Sequence, residues 1–448
     1  MPDHLVRFAA PALVLGLIAA CTPKNSPEDP KGSGASGPGG QGTGAAAGVG
    51  AGAGGEGATG SGGTGPGMPG WTIVPLLDDK TDPNNVVFRA GNDLVTGIHF
   101  ASKDEGWVTT SGSNETFSYG GAIFKASQNQ ITDLLFSGNR DGLCLLGTID
   151  FHGIDKSPDG FVALGYACDV IASHDGGKTF GIEPALAGDQ FGIEQIMAMR
   201  ARATDTLMVS DSGYLSVTKG QPGPNAVWTD IWAPEANPPI PDPVPADQCQ
   251  GRPNSPTAQT QRTAAYVSPQ GDFVAYVAAP NYDPQVCVST DGGKSFFPKV
   301  LPGVADDALP FSPAGVTFAS ATVGITFWAN NIYPGIGYIY RTEDAGKTWK
   351  HIDLPSDIAN KSIELSSAFF APDGTHGWIV GFDYDASLAL VLDTADGGAT
   401  WKTSTSDLAA KVSKAGGGKL FTGFALDANH IWVGGEHGIL AANEAGGS

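Results

Sequence analysis

The chain has 448 residues and a formal charge of −21 at pH 7, from 46 acidic and 25 basic side chains. An acidic protein of this kind is a poor partner for nucleic acid or for anionic lipid, so neither is expected. No Ser-His-Asp motif, metal-spaced histidine cluster or nucleotide-binding loop appears in the sequence, and we expect neither a metal nor a cofactor.

The N-terminus has the features of an export signal. Residues 8–20 form an apolar run that ends in the tetrapeptide IAAC at 18–21. Small residues before a cysteine resemble the lipobox of bacterial lipoproteins, so residues 1–20 are interpreted as a signal peptide and not as a membrane span. The resemblance implies lipidation of Cys21. Thr22 after it favours the outer membrane of a Gram-negative bacterium, with the periplasmic and cell-surface sides both open.

A linker is predicted between the lipidated cysteine and the folded domain, over residues 21–70. Its main part, 31–70, is almost entirely Gly, Ala, Ser, Thr and Pro, which is too poor in large apolar groups to offset chain entropy. A flexible chain of this length spans roughly 35–40 Å root-mean-square. The folded domain is therefore expected to occupy residues 71–448 and to be attached to a membrane only through the lipid.

From Trp71 onward the sequence predicts short strands in repeated units. Each unit has four strand segments rich in β-branched and aromatic residues, bounded by Gly, Pro and Asp. Three of the units are degenerate, and they begin near Val95, Ile193 and Phe421. With the four units described next, the count is seven.

One octapeptide, Ser/Thr-x-Asp-x-Gly-x-Thr/Ser-Trp/Phe, marks the four clear units. Its copies are SHDGGKTF, STDGGKSF, TEDAGKTW and TADGGATW, at 173–180, 289–296, 342–349 and 394–401. We predict a tight turn in which the aspartate accepts backbone N–H groups and a glycine supplies a positive φ. These aspartates are Asp175, Asp291, Asp344 and Asp396. A calcium or phosphate loop is the alternative, but a phosphate loop would lead into a helix, whereas a strand pattern follows here.

These octapeptides resemble the Asp-box, or BNR repeat, of sialidases, sortilin-like receptors and photosystem-assembly-factor-like propellers. The strings DEGWVTTS, THGWIVGF and HIWVGGEHGILAAN are similar to the Gly-Trp units of the last two families. The resemblance covers residues 71–448 and implies an all-β β-propeller of four-stranded blades, with each box between the third and fourth strands. The count of units predicts seven blades, and we expect a monomer. The last unit lacks its fourth strand, which we expect residues 70–76 to supply, closing the ring.

Strand direction alternates within a blade, so the boxes share one face and the second-to-third loops share the other. The longer predicted loops and a Pro-rich insertion at 232–262 fall on this second face, where function is expected. Aromatic residues beside carboxylates there suit a protein or glycan ligand, although tyrosines also pack loop stems. The candidate ligand-binding residues are Tyr119, Tyr282, Asp283, Tyr333, Tyr384 and Asp385, with Arg262 from the channel.

Four cysteines remain once Cys21 is assigned to the lipid. An even number in an exported protein predicts two disulfides, and four cysteines allow three connectivities. The repeat topology favours Cys144 with Cys168 and Cys249 with Cys287, because each pair then meets on the long-loop face.

Catalysis is the less favoured hypothesis for the function. The sialidase resemblance implies an arginine triad, a Tyr–Glu nucleophile pair and an acid/base Asp, yet FRAG at 88–91 keeps only the Phe-Arg of the family's Phe-Arg-Ile-Pro motif. Other glycosidases need two carboxylates, for which the candidates are Asp150, Glu194 and Glu364. We favour a surface-tethered lipoprotein that binds or scaffolds a protein or glycan, with an exo-acting glycoside hydrolase as the alternative.

Overall fold

The repeat units fold into small antiparallel sheets, as seen in a computed structural model of the chain. The structure describes residues 70–76, 93–113, 119–127, 129–138, 154–156, 162–166, 169–184, 196–201, 206–210, 215–218, 228–232, 264–278, 285–302, 314–329 and 337–444. All of these belong to one compact unit that spans Thr64–Ser448.

Seven four-stranded sheets follow one another along the described residues. Sheet 1 contains β2 (Asp93–Ser102), β3 (Glu105–Ser113), β4 (Tyr119–Ser127) and β5 (Gln130–Gly138). Sheet 2 contains β6 (Ile154–Lys156), β7 (Val162–Tyr166), β8 (Asp169–Ser173) and β9 (Gly181–Pro184). Sheet 3 contains β10 (Ile196–Ala201), β11 (Thr206–Ser210), β12 (Leu215–Thr218) and β13 (Trp228–Trp232).

The second half of the chain continues the same pattern. Sheet 4 contains β14 (Ala265–Val267), β15 (Val274–Ala278), β16 (Gln285–Ser289) and β17 (Phe297–Val300). Sheet 5 contains β18 (Gly315–Phe318), β19 (Gly324–Ala329), β20 (Gly337–Thr342) and β21 (Lys350–Ile352). Sheet 6 contains β22 (Ile363–Phe370), β23 (Gly377–Asp383), β24 (Leu388–Thr394) and β25 (Lys402–Thr403). Sheet 7 contains β26 (Leu420–Ala425), β27 (His430–Gly435), β28 (Leu440–Glu444) and β1 (Trp71–Val74).

The sheets are arranged in a ring. The first strand of each sheet contacts the first strand of the next, through the pairs β2–β6, β6–β10, β10–β14, β14–β18, β18–β22 and β22–β26. Strand β26 of sheet 7 also contacts β2 of sheet 1, which closes the circle. Because the first strands contact one another around the circle, they are the inner strands. The fold is therefore an all-β propeller.

The N-terminal strand closes the last sheet, as the sequence predicted. Strand β1 pairs antiparallel with β28, and the register joins Trp71 to Asn443 and Val74 to Leu440. Trp71 is 1% exposed and packs between sheets 6 and 7. The two ends of the domain therefore meet in one sheet, which pairs a strand edge that would otherwise be open.

One helix among the described residues was not predicted. Helix α1 (Leu408–Lys414) connects sheet 6 to sheet 7, and its Leu408 and Val412 are buried in the same core as Trp71. It has only seven residues, too few to leave a helical periodicity in the sequence. A 3₁₀ turn follows at Glu436–Gly438. Within the residues that are described, no helix is long and apolar enough to cross a membrane.

The Gly-Trp strings of the sequence build the contacts between sheets. Their tryptophans, Trp107, Trp378 and Trp432, are all buried. Across the boundary between sheets 7 and 1, the Trp432 ring stacks on Phe100 with 3.7 Å between ring centroids. A glycine at the first or second position of the second strand has an aromatic ring from the first strand where its Cβ would be, 2.4 Å from the nearest ring carbon. These pairs are Gly106 with Phe100, Gly324 with Phe318 and Gly377 with Phe370.

Candidate functional site

The four octapeptides lie between the third and fourth strands of sheets 2, 4, 5 and 6, and we call them the box turns. Their first residues end the third strands, and the fourth strands begin directly after their aromatic residues. In three of them, the backbone N–H after the aspartate donates to a carbonyl in the first-to-second turn of the same sheet. These bonds join Gly292 to Asp272, Ala345 to Thr322 and Gly397 to Thr375. The box turns and the first-to-second turns therefore share one face of the propeller.

Each box turn satisfies its own aspartate. In the fourth, the Thr394 hydroxyl donates to Asp396 Oδ1 at 2.7 Å, and the Thr400 N–H and hydroxyl donate to Oδ1 and Oδ2 at 2.9 and 2.6 Å. The Gly398 N–H in turn donates to Thr394 Oγ1 at 3.1 Å. Asp175, Asp291 and Asp344 repeat these bonds. The predicted tight turn is confirmed, and its carboxylate is already used within the turn.

These bonds favour the charged carboxylate. Hydrogen bonds from the Ser295 hydroxyl and N–H lower the pKa of Asp291 to about 2. The Thr179 hydroxyl and N–H hold the pKa of Asp175 well below its usual range. A neighbouring sheet also contacts the first box turn: Trp107 Nε1 of sheet 1 donates to the Gly177 carbonyl of the turn in sheet 2 at 3.1 Å. The box turns therefore serve to build the fold.

A cluster of polar and aromatic side chains lies at the opposite ends of sheets 6 and 7. Glu364 is the second residue of β22, Tyr384 follows β23 directly, and Lys419 directly precedes β26. The Tyr384 hydroxyl donates to Glu364 Oε2 at 2.5 Å, and Lys419 Nζ donates to the same oxygen at 3.0 Å. Lys419 Nζ also lies 5.0 Å from the centroid of the Tyr384 ring, over its face. We call these three residues the Tyr384 cluster.

The backbone around the Tyr384 cluster is fixed by further hydrogen bonds. The Tyr384 N–H donates to the Ser362 carbonyl at 2.9 Å, and the Ser362 N–H donates to Asp385 Oδ2 at 3.2 Å. The Lys419 N–H donates to Glu436 Oε2 at 3.0 Å. Each of the three side chains comes from a different segment, so their positions depend on how sheets 6 and 7 pack together.

The charges in the cluster follow from these contacts. Burial and the bond to Glu364 raise the pKa of the Tyr384 hydroxyl, so it is neutral at pH 7. Burial alone would lower the pKa of Lys419, but its contacts with Tyr384 and Glu364 outweigh burial and raise it. The cluster therefore holds a neutral phenol and an ammonium on one carboxylate. It can recognise a ligand through hydrogen bonds, charge and an aromatic ring.

The structure brings together two predicted residues that belonged to different sets, Tyr384 from the ligand loops and Glu364 from the channel carboxylates. Asp385 lies in the predicted loop, where it accepts the Ser362 N–H. Tyr119 was expected in a loop but is the first residue of β4, because the pairing of β3 and β4 extends to Ser113 and Tyr119. The other candidates lie outside the described residues: Tyr282, Asp283, Tyr333, Arg262, Asp150, Glu194, Cys21, Cys144, Cys168 and Cys249.

Sequence reasoning missed Lys419, which belongs to no motif. The available signal was its position directly before the inner strand of a unit, on the long-loop face. Cys287 is buried in β16 and is disulfide-bonded. Among the side chains that are described, no group of three or more His, Cys, Asp and Glu residues could hold a metal ion.

Comparisons with known proteins bear on the fold. No protein-family model matches the chain, and no curated protein matches it. A structure of YCF48 bound to D1 peptide is similar, with 13% identity, a TM-score of 0.53, and coverage of 85% of this chain and 100% of that one. YCF48 from Cyanidioschyzon merolae is similar at 17% identity and a TM-score of 0.52, covering 84% of this chain and 99% of that one. At these identities the likeness shows the fold that this chain shares with them, a β-propeller.

Proposed function

We propose that this chain is a lipid-anchored propeller of the Asp-box type that binds a protein ligand on the face opposite the box turns. The observation that carries the proposal is the Tyr384 cluster. It combines an aromatic ring, an ammonium and a carboxylate, all partly exposed, on the face where the predicted long loops also fall. The carboxylate oxygens of the box-turn aspartates, by contrast, already accept hydrogen bonds within their own turns.

Two further points support the proposal. One of the similar propellers is described as bound to a peptide, which makes a peptide segment of another protein the first ligand class to test. The IAAC tetrapeptide at 18–21 supports lipid anchoring. The Gly-rich residues after it would let the folded domain lie some distance from the membrane surface. A propeller held near a membrane in this way suits a binding or scaffolding role.

The test is a binding screen of the full chain against an immobilised array of random peptides. Peptides that bind are then titrated against wild type and Tyr384→Ala. We expect Tyr384→Ala to weaken binding by roughly 5- to 150-fold, the range for a central interface residue worth about 1–3 kcal/mol. The control is Lys347→Met. Lys347 is an exposed lysine in the third box turn, on the opposite face, so the substitution leaves the Tyr384 cluster and its neighbouring charges unchanged.

The proposal fails if Tyr384→Ala binds the selected peptides as wild type does. Thermal unfolding of both variants must be measured in parallel. A loss of binding that only follows a loss of folded protein, or that Lys347→Met shares, would also count against the site.

An exo-acting glycoside hydrolase remains the alternative, and one observation favours it. A tyrosine hydroxyl 2.5 Å from a glutamate oxygen is the pairing that an activated phenol nucleophile requires. The raised pKa of Tyr384 argues against this activation. A panel of chromogenic aryl glycosides decides the matter: turnover by wild type that Glu364→Gln abolishes would establish the enzyme, and no turnover on any glycoside would remove it.

A further inference from the structure

The Tyr384 cluster leaves one hydrogen-bond acceptor and one donor unused, side by side. Both of its internal bonds end on Glu364 Oε2, and Glu364 Oε1 has no partner among the described residues. The Lys419 ammonium has three N–H groups, and its hydrogen bond to Glu364 uses one of them, so at least one remains for a ligand. A ligand can therefore donate to Glu364 and accept from Lys419 at the same time.

The charges around this donor–acceptor pair favour a neutral group. Glu364 and Lys419 offset each other at 3.0 Å, and the neighbouring Lys361 and Asp383 offset each other at 2.8 Å. An anionic group placed on Lys419 would also meet Glu364, and a cationic group placed on Glu364 would meet Lys419. Like-charge contacts of this kind are unfavourable at an interface. A free carboxylate, a phosphate or an amine is therefore disfavoured as the docked group.

The aromatic rings argue against a sugar as the neutral ligand. A sugar that stacks needs one open ring face. Lys419 Nζ lies over a face of Tyr384, and the Phe382 ring meets Tyr384 at an interplanar angle of 86° with 4.9 Å between centroids. One face of Tyr384 is therefore occupied by the ammonium, and the ring is held as part of the cluster.

A peptide in extended conformation has the complementary chemistry. In a hydrogen-bonded antiparallel pair, the N–H and the C=O of one residue point to the same side and bond to the same partner. Such a residue is neutral and presents a donor and an acceptor next to each other. Glu364 Oε1 and Lys419 Nζ offer the matching acceptor and donor.

We infer that Glu364 and Lys419 bind the main chain of an extended peptide segment, with Glu364 accepting an N–H and Lys419 donating to the C=O of the same residue. This inference depends on the proposed function. Because the two bonds use the main chain, binding of that ligand residue does not depend on its side chain. Tyr384 then acts as a positioning residue, because its hydroxyl orients the Glu364 carboxylate.

The experiment uses the full chain and the peptides selected from the random array. Each peptide is resynthesised with one N-methyl group, placed at each position in turn, and titrated against wild type, Glu364→Gln and Lys347→Met. We expect one position at which N-methylation weakens wild-type binding at least tenfold, because a peptide N–H has been removed. In Glu364→Gln, whose amide cannot both keep the internal bonds and accept the peptide N–H, the same methyl group should change binding less than twofold. Lys347→Met should keep the wild-type sensitivity.

The possible outcomes separate this inference from the proposed function. Peptides that need Tyr384 but show no N-methyl position coupled to Glu364 would overturn main-chain recognition and leave the binding face in place. If the protein binds only neutral glycans, and Tyr384→Ala loses that binding, the ligand is not a peptide but the location of the binding site is correct. If selected peptides bind independently of both Tyr384 and Glu364, or if no peptide of the array binds, the inference is wrong.

Discussion

The box turns show how single residues set local structure in this protein. At the position after the aspartate, the backbone has a positive φ in all four turns: Gly176 at 77°, Gly292 at 73°, Ala345 at 59° and Gly397 at 67°. Alanine in this region places its Cβ close to the following carbonyl, which costs roughly 1–2 kcal/mol. The third box turn therefore carries a strain that the other three avoid with glycine.

Exchanging the two residue types between turns tests this strain. We expect Ala345→Gly to raise the free energy of unfolding by up to about 1 kcal/mol, since the left-handed strain is relieved while glycine adds chain entropy to the unfolded state. Gly292→Ala is the reciprocal control. We expect it to lower stability by a similar amount, because its backbone has a positive φ. No steric clash should add to this effect, since a Cβ there meets only the Gly271 carbonyl oxygen at 3.5 Å. Urea unfolding measures both. Equal midpoints for Ala345→Gly and wild type would show that the strain is absorbed elsewhere.

The box-turn carboxylates also predict how stability responds to acid. The pKa of Asp291 falls from 3.8 to about 2 on folding, so its ionised form stabilises the folded state. This contribution is complete above about pH 4 and is lost as the pH falls from about 4 to about 2. The stability gap between wild type and Asp291→Asn should shrink over that window. Asp353→Asn, at a side chain that is 98% exposed, is the control. A gap that stays constant between pH 6 and pH 2 would contradict the prediction.

At the scale of elements, the closing strand β1 is held by more than its ladder to β28. The Trp71 N–H donates to Asp407 Oδ1 at 3.1 Å, and Lys411 Nζ donates to the Trp71 carbonyl. Asp407 and Lys411 also pair with each other at 2.7 Å across one turn at the start of α1. Helix α1 therefore fixes the N-terminal strand to the last sheet, and the same contacts lower the pKa of Asp407.

Deleting residues 70–76 should destabilise the whole domain. The deletion exposes the edge of β28 and removes the buried Trp71 side chain, a loss that costs about 3–5 kcal/mol for a large aromatic residue. We expect the melting temperature to fall by several degrees. A deletion of equal length at 41–47, in the Gly-rich segment, controls for chain shortening. If both deletions melt within a degree or two of wild type, β1 does not contribute to closure.

At the scale of the whole molecule, the ring separates two faces with different chemistry. Strand β1 occupies a fourth-strand position, and fourth strands begin at the box-turn face, so the chain enters the propeller at that face. The Tyr384 cluster lies at the opposite ends of the strands. The proposed binding face is therefore directed away from the point where the chain enters.

The proposed anchor is tested by Cys21→Ser. Without the thiol no lipid can be attached, so the variant should leave the membrane fraction, whereas wild type should be found there. Cell fractionation followed by mass spectrometry of the N-terminal peptide measures both properties. The variant Thr22→Ser keeps the cysteine and serves as the control. Membrane retention of Cys21→Ser in its processed form would rule out lipid anchoring.

The disulfide pattern is the second test at this scale. We expect Cys249 to be the partner of the disulfide-bonded Cys287, and Cys144 to pair with Cys168, because each pair then closes a local loop on one face. Mass spectrometry of unreduced peptides identifies the pairs. A crossed pairing would mean that the connections between sheets 1 and 4 run differently from the repeat pattern.

The sequence by itself determined the repeat and the closing strand. The bonds inside a box turn join residues two to four positions apart, such as Thr394, Asp396 and Thr400. One octapeptide therefore contains all the residues that form the turn. The string at 70–76 resembled the end of such a turn followed by a strand, which located the missing fourth strand at the other end of the chain. Local hydrogen bonding and strand alternation leave a pattern in the sequence because they depend on near neighbours.

Only the tertiary structure decided the composition of the candidate site. Glu364 lies 20 residues from Tyr384 and 55 residues from Lys419 along the chain. The three side chains meet because sheets 6 and 7 are neighbours in the ring and their inner strands start at the same face. Such contacts depend on the packing of whole sheets. The position of Lys419 before an inner strand could indicate its face from the sequence, but its contact with Glu364 and Tyr384 is seen only in the closed ring.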